Sequence, residues 1–373
     1  MVRVRDVMQV LEQIAPLHRA AEWDNVGLLV GDATAPVQRI MTCLTVTPAT
    51  VQEAIREQAH LLVSHHPLLF RPVQRLTLDS ADGALILPLL RSGIAVYAVH
   101  TAYDDAPEGI NEQLCQRLGL EGVVPLRRRA EPPSYKLVVF VPESDWQRVS
   151  DAVFSAGAGV IGQYRECSFR VSGKGTFFGT EGTQPTIGQK GRREEVDEWR
   201  LEVVVPADRL DEVVAAMRRA HSYEEPAYDV YPLQPLRREG SGRLAQLRVP
   251  CSVAAFAAHV QQQLGSRVHV VGQTDRLVHR VAVACGAGGE LLADALRHQV
   301  DVLLTGELRF HEALRAEAAG LTVVVAGHYA TERLGVETLA QRLQTAFPTL
   351  NVWASRDERD PFYLLPSTTL KPA

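Results

Sequence analysis

Along the first hundred or so residues, short apolar runs alternate with segments whose apolar positions recur every three or four residues. Val4, Val7, Met8, Leu11 and Ile14 fall at helical spacing and predict a helix over about 4–15. Strands are expected near 39–46, at 60–64 and at 94–99, and helices near 48–58, 80–92 and 109–118, the last ending at Gly119. The segments at 23–27 and 100–105 read as loops. Strands alternating with helices imply parallel pairing and a layered α/β fold.

The rhythm breaks at Arg127–Pro133 and a second pattern begins. Lys136–Val141 reads as a strand, Trp146–Ala156 as a helix, Tyr164–Val171 and Trp199–Val205 as strands, Asp208–Ala220 as a helix and Ala227–Tyr231 as a strand. That order, βαββαβ, is the ferredoxin-like unit. Gly173–Gly191 within it reads as a long mobile loop. After a further break at Pro235–Gly242 the first rhythm returns. Helix Val253–Gln263, strand Arg280–Ala284, loop Gly286–Gly289, helix Glu290–His298, strand Asp301–Thr305, helix Ala313–Ala319, strand Thr322–Ala326 and helix Thr331–Gln344 follow. The expected fold is therefore a discontinuous α/β domain over 1–129 and 239–373, with an inserted ferredoxin-like α+β domain over 130–238.

A length of 373 residues agrees with two or more domains, and 46% apolar with 22% charged residues is an ordinary globular composition. The net charge of −5 gives no general attraction to nucleic acid or anionic membrane. Arg127-Arg128-Arg129 reads as a solvated linker. The start of the chain does not read as a signal peptide, and no apolar run is long enough to span a bilayer. Five scattered cysteines without CxxC spacing argue for a reducing compartment, the cytoplasm.

The chemistry lies where apolar runs end in histidine. These runs are Leu61-Leu62-Val63-Ser64-His65-His66-Pro67, Ala95-Val96-Tyr97-Ala98-Val99-His100 and Val323-Val324-Val325-Ala326-Gly327-His328. Asp104 follows His100 by four residues and Glu332 follows His328 by four. Imidazole with carboxylate binds zinc, manganese or iron. Sites in α/β sheets form beyond the carboxyl ends of strands, so three strands ending side by side would gather these groups into a metal site with room for two ions. Adjacent His65 and His66 would point to opposite sides of an extended backbone, one toward each ion. Glu307 and His311, spaced i, i+4 after another apolar run, are candidates for orienting ligands. Cys285-Gly286-Ala287-Gly288-Gly289 could cradle an anion, or serve only as a tight turn. No Ser-His-Asp or Cys-His arrangement stands out.

The motifs Trp23-Asp24-Asn25-Val26-Gly27-Leu28, Ser64-His65-His66-Pro67-Leu68, His100-Thr101-Ala102-Tyr103-Asp104, Thr305-Gly306-Glu307 and Gly327-His328-Tyr329-Ala330-Thr331-Glu332 resemble those of a dinuclear metal-centre family, the GTP cyclohydrolase I type 2 homologues. The match is to its long form, and the inserted segment joins it through Cys167-Ser168-Phe169, Gly173-Lys174-Gly175-Thr176-Phe177 and Tyr223-Glu224-Glu225-Pro226-Ala227-Tyr228-Asp229. The resemblance implies that His65, His66, Asp104, His328 and Glu332 ligate two divalent ions, zinc first and manganese or iron as alternatives, with Glu332 bridging. It implies that His100 sits beside the ions as an orienting or acid–base group, that the inserted domain is PII- or CutA-like, and that the chain forms a toroidal homohexamer. Two departures, at the residues before Asp104 and in the glycine loop, are expected to touch no ligand. The function implied is metal-dependent hydrolysis of a nucleotide or another small phosphorylated or cyclic amide compound. The alternative is a non-catalytic metal- or metabolite-sensing scaffold acting through the inserted domain. Nucleic acid and membranes are not expected partners.

Overall fold

The computed structural model describes residues 1–128, 133–234 and 240–362. The two expected breaks, with Arg129 of the arginine run, lie partly or wholly outside them. The chain divides into two compact units, Met1–Arg129 with Arg238–Ala373, and Ala130–Arg237.

The first part of the larger unit carries α1 (Val4–Ile14), β1 (Gly27–Val30), β2 (Arg39–Cys43), α2 (Pro48–Arg56), β3 (Leu61–Ser64), α3 (Ala81–Arg91), β4 (Ala95–Ala98), α4 (His100–Asp104), α5 (Ile110–Arg117) and β5 (Glu121–Arg128). The smaller unit follows with β6 (Ser134–Pro142), α6 (Trp146–Ser155), β7 (Ser168–Phe178), β8 (Arg193–Pro206), α7 (Leu210–Ala220) and β9 (Tyr228–Leu233). The last part carries β10 (Gly240–Ser252), α8 (Val253–Leu264), β11 (His269–Val271), β12 (Leu277–Ala287), α9 (Leu292–Arg297), β13 (Val302–Glu307), α10 (Phe310–Ala318), β14 (Thr322–Val325), α11 (His328–Ala346) and β15 (Asn351–Ala354).

The smaller unit is an antiparallel sheet in the order β7-β8-β6-β9, crossed by α6 and α7, which is the ferredoxin-like topology its element order predicts. The expected loop at Gly173–Gly191 is only partly a loop: residues up to Phe178 continue β7, paired with β8 as far as Arg193. Glycines at 173 and 175 hid this strand from a pattern reading, because they supply no apolar alternation.

The larger unit holds two sheets rather than one. The first has the order β1-β4-β3-β2-β15, with β15, β2, β3 and β4 parallel and β1 antiparallel at the edge. The second has the order β11-β14-β13-β12-β10-β5, parallel only through β12, β13 and β14. Central strands such as Leu61–Ser64 and Ala95–Ala98 are buried at every position, so they read as unbroken apolar runs. On β12 the even and odd residues enter different cores: Val281 and Val283 pack with Phe256 of α8, while Ala282 and Ala284 pack with Leu291 and Ala295. Helix α11 touches β2 and β15 of one sheet and β12 and β13 of the other. It comes this close to α5 because Gly335 has no side chain; a Cβ there would lie 2.5 Å from Ile110 Cγ1.

Arg127 and Arg128 belong to β5, not to a linker. Arg127 Nη2 lies 2.7 Å from Asp294 and its Nη1 3.3 Å from Glu290, which gives the charge a structural use. The largest fully buried side chain is Arg243, whose guanidinium donates to the carbonyls of Gly240, Gly242 and Ala106 at 2.7–2.9 Å. Arg243→Met removes the donors and strands three carbonyls. It should lower unfolding stability by about 3 kcal/mol or more, read by denaturant melts.

Candidate metal centre

Parallel strands carry their ladders one step past their ends and so fix where the first loop residues stand. His65 N donates to Cys43 O and His66 N to Leu44 O, both within 2.9 Å, while His100 N donates to His65 O at 2.9 Å. His100 has φ +25°, an uncommon value for a residue with a Cβ, and it begins a short helical turn that ends at Asp104, where a loop was expected. From the other sheet, β14 leads through Gly327 into α11, which starts at His328, three residues earlier than the pattern suggested. His328 and Glu332 therefore share one helix face. The three strands do not all end side by side: β3 and β4 are neighbours, and β14 belongs to the second sheet. The groups still meet, because α11 runs between the two sheets.

Glu332 Oε2 is the centre of the cluster. It lies 3.1 Å from His66 Nε2, 3.0 Å from His328 Nε2 and 3.9 Å from His65 Nε2. His65 Nε2 is also 3.5 Å from Asp104 Oδ1. Imidazole centroids are 5.1 Å apart for His65 and His66, 5.3 and 5.4 Å from those two to His100, and 5.4 Å from His66 to His328. Two sets of ligating atoms converge: His65, His66 and His100, and His66, His328 and Glu332. His66 belongs to both.

The close distances are not hydrogen bonds. His65 Nδ1 and Nε2, His328 Nε2 and Glu332 Oε2 are buried and lack a hydrogen-bond partner. Buried polar atoms of this kind are rare without an ion or water to satisfy them. Two atoms each about 2.1 Å from one cation at right angles to tetrahedral spacing lie roughly 3.0–3.4 Å apart, close to the separations found here.

Titration follows the same logic. Burial pushes His65 well below the usual imidazole range. Burial and the neighbouring Glu332 charge raise Asp104 to about 8. The adjacent Glu332 carboxylate raises His328 to about 9, and the neighbouring imidazoles of His328 and His66 hold Glu332 low against its burial. Two buried acids repelling each other beside several imidazoles form a set that a cation would neutralise.

Around the cluster, each imidazole but one has its outer nitrogen tied. Thr45 Oγ1 sits 2.7 Å from His66 Nδ1, and the Thr45 amide donates to Glu358. Glu307 Oε2 is 3.4 Å from His328 Nδ1. Asp24 Oδ1 is 2.7 Å from His100 Nδ1, and Asp24 also accepts from Thr101 and the Asn25 amide. These contacts keep Asp24 ionised against its burial and hold His100 above its ordinary pKa, although burial opposes that too. Orienting contacts of this type commonly govern ligand geometry. Asp24→Asn should therefore weaken metal affinity or turnover by about 10–100-fold while leaving the unfolding midpoint of the chelated protein nearly unchanged, as metal titration beside a thermal melt in chelator would show.

Glu307, one of the two residues expected to orient ligands, lies beside His328 Nδ1. His311 does not join: β13 ends at Glu307, α10 begins at Phe310, and His311 is exposed on that second element. The glycine loop is the end of β12, to Ala287, followed by the start of a 3-10 turn over Gly288–Leu291, and two of its amides are used inside the protein. The Gly286 and Gly288 amides donate to Thr331 and Thr305. The loop also touches the cluster, contrary to expectation: Cys285 Sγ is 3.2 Å from Asp104 Oδ1, and Gly286 lies against Glu332. Sequence reasoning misses Asp24, Thr45, Cys285 and Asn111, the last of which accepts from the Cys285 amide at 2.8 Å and donates to Asp104 O at 3.2 Å. The only available signal was that Asp24 and Cys285 lie in quoted motifs; nothing in the chain marks Thr45.

Comparison with known proteins gives one consistent result. The family described as Duf34/NIF3 (NGG1p interacting factor 3) matches residues 2–361. A protein of Halalkalibacterium halodurans named GTP cyclohydrolase 1 type 2 homolog is 37% identical over 361 residues, 95% of this chain and 97% of that one. Among solved structures, a Bacillus cereus protein related to NIF3 aligns with TM-score 0.72 at 36% identity, over 98% of this chain and 99% of that one. The Staphylococcus aureus protein SA1388 aligns with TM-score 0.79 at 27% identity over the same shares.

Proposed function

The chain belongs to the Duf34/NIF3 family, and on that premise we propose that it is a metal-dependent hydrolase of a nucleotide or another small phosphorylated or cyclic amide compound. The carrying observation is the unsatisfied Glu332 Oε2 set among the Nε2 atoms of His65, His66 and His328. His65, His66, Asp104, His328 and Glu332 would hold two divalent ions, zinc first, with manganese or iron as alternatives. His100 fits either role: its tied Nδ1 leaves Nε2 for an ion or for moving a proton. Divalent ions in such a set supply Lewis-acid polarisation and water activation near neutral pH. The chain's own part is to fix the ligands, through Thr45, Glu307 and Asp24, and to keep the acids in a buried place where their charge counts.

The relatives' shared name makes opening of a nucleotide ring by water one version of this reaction. Assembly as a toroidal hexamer, a PII- or CutA-like character for the smaller unit, and a cytoplasmic location belong to the same proposal. The five cysteines are all unpaired, which agrees with the last. No helix among the described residues is long and apolar enough to cross a membrane. A second reading, effector sensing, is favoured by a cavity of about 590 Å³ within the smaller unit, lined among others by Phe140, Lys174, Phe177, Glu198, Arg200 and Tyr223. Elemental analysis separates metal binding from its absence. Purified protein should carry about two divalent ions per chain, and His66→Ala, which removes the imidazole common to both ligand sets, should carry about one or fewer. A folded, never-chelated sample free of metal would overturn the hydrolase reading.

A further inference from the structure

We infer that Trp23 and Phe70 form a platform on which the substrate's planar heteroaromatic ring stacks beside the metal centre. The inference rests on the hydrolase reading and names the class of molecule it acts on.

Large aromatic side chains are normally buried on most of their surface. Here Trp23 is 60% and Phe70 53% exposed, yet both are held in place. Their ring centroids are 5.8 Å apart, and each also meets His100, at 5.9 Å for Trp23 and 6.3 Å for Phe70. His100 in turn lies against His65 and His66, so a single imidazole separates the two rings from the ligand cluster. The loops that carry them are joined: Asn25 Nδ2 donates to Leu69 O at 2.5 Å. On the other side of Asn25, Asp24 is fixed by Thr101 and His100. Ordering two exposed rings costs conformational freedom and hydrates apolar surface, which an incoming π-face would recover.

The geometry also selects the occupant. The rings touch each other at a tilt of 52°, so they leave no slot between them and offer outward faces instead. A flat ring stacks on such a face irrespective of its substituents. Two side chains provide far less than the roughly 800 Å² per partner that a stable protein interface buries. Their distance of one imidazole from the ligands lets one small molecule occupy both places, its ring on the platform and its reacting bond at the cluster.

The test compares guanosine monophosphate with ribose 5-phosphate, which lacks the ring, by calorimetric titration of full-length, metal-replete protein, with metal content and particle size measured on each sample. The wild type should prefer the nucleotide by about tenfold or more, the size of one aromatic stack. Trp23→Ala and Phe70→Ala should lose that preference with unchanged metal content and unchanged affinity for ribose 5-phosphate. A wild type without preference, or variants that keep it, would overturn the platform. An altered particle size with preference intact would make the rings a contact between copies and overturn it as well. Absence of metal from the wild type brings down the hydrolase reading itself, and it is seen before any probe is added.

Discussion

Glu332→Gln should leave the protein with fewer than one ion per chain and no turnover. The substitution preserves volume in a site that is 3% exposed, so packing changes little. What it removes is the charge that three imidazole nitrogens face within 3.9 Å. An amide offers one weak oxygen ligand, and its NH2 must go where another ligand stood. Loss of a shared carboxylate should weaken binding by at least about 100-fold, and stabilisation that scales with ligand saturation goes with it, about 2.7 kcal/mol at a hundredfold excess over Kd. Two measurements check this. Elemental analysis reads the ions directly. Thermal melts with and without chelator should separate for the wild type and coincide for the variant. A variant that keeps two ions and full turnover would remove Glu332 from its central place.

Gly286→Ala should have nearly the same effect by a different route. Gly286 sits at φ +56°, and a Cβ on it would lie 2.1 Å from Glu332 Oε1 and 3.2 Å from His328 Nε2. Glu332 is buried on α11, so the methyl group must displace the carboxylate from its place among the imidazoles or push the end of β12 away. Metal should be lost while the chain still folds, with a backbone cost of about 1–3 kcal/mol. Gly265→Ala is the control. That glycine closes α8 at φ +64° with nothing within 4 Å of an added Cβ, so it carries a similar backbone cost without the collision. Equal metal contents in the two variants would show that the contact between Gly286 and Glu332 has no bearing on ion binding.

Residues in the buried parallel strands announced themselves, because both faces of β3, β4, β13, β14 and the 281–284 part of β12 take apolar side chains. The histidines and Glu332 were legible for the same reason, as polar groups placed just beyond such runs. The antiparallel strands β5, at the sheet edge, and β10 beside it were not. Their residues mix buried and exposed positions without a regular period, with charges at Arg127 and Arg128 and a buried Arg243, and this resembles a linker until the carbonyls and acids that receive those charges are seen. The division into two sheets was also invisible, since periodicity reports which face a residue turns to a core but not which strand is its neighbour. Supporting contacts were hardest of all. Thr45 matters through its contacts with His66 and Glu358 and Asn111 through its hydrogen bonds with the Cys285 amide and the Asp104 carbonyl, and none of these has a signature in composition or spacing.

Biosynthesis imposes a timetable on the cluster. His65, His66, His100 and Asp104 leave the ribosome before the unit at 130–237 begins, and His328 and Glu332 emerge only after it is complete. At ordinary elongation rates that delay is on the order of tens of seconds. Throughout it, β2 lacks its neighbour β15, and the early imidazoles lack the carboxylate they share. The set of His66, His328 and Glu332 therefore closes only once translation has run into α11, whereas the set of His65, His66 and His100 is available before the smaller unit is made.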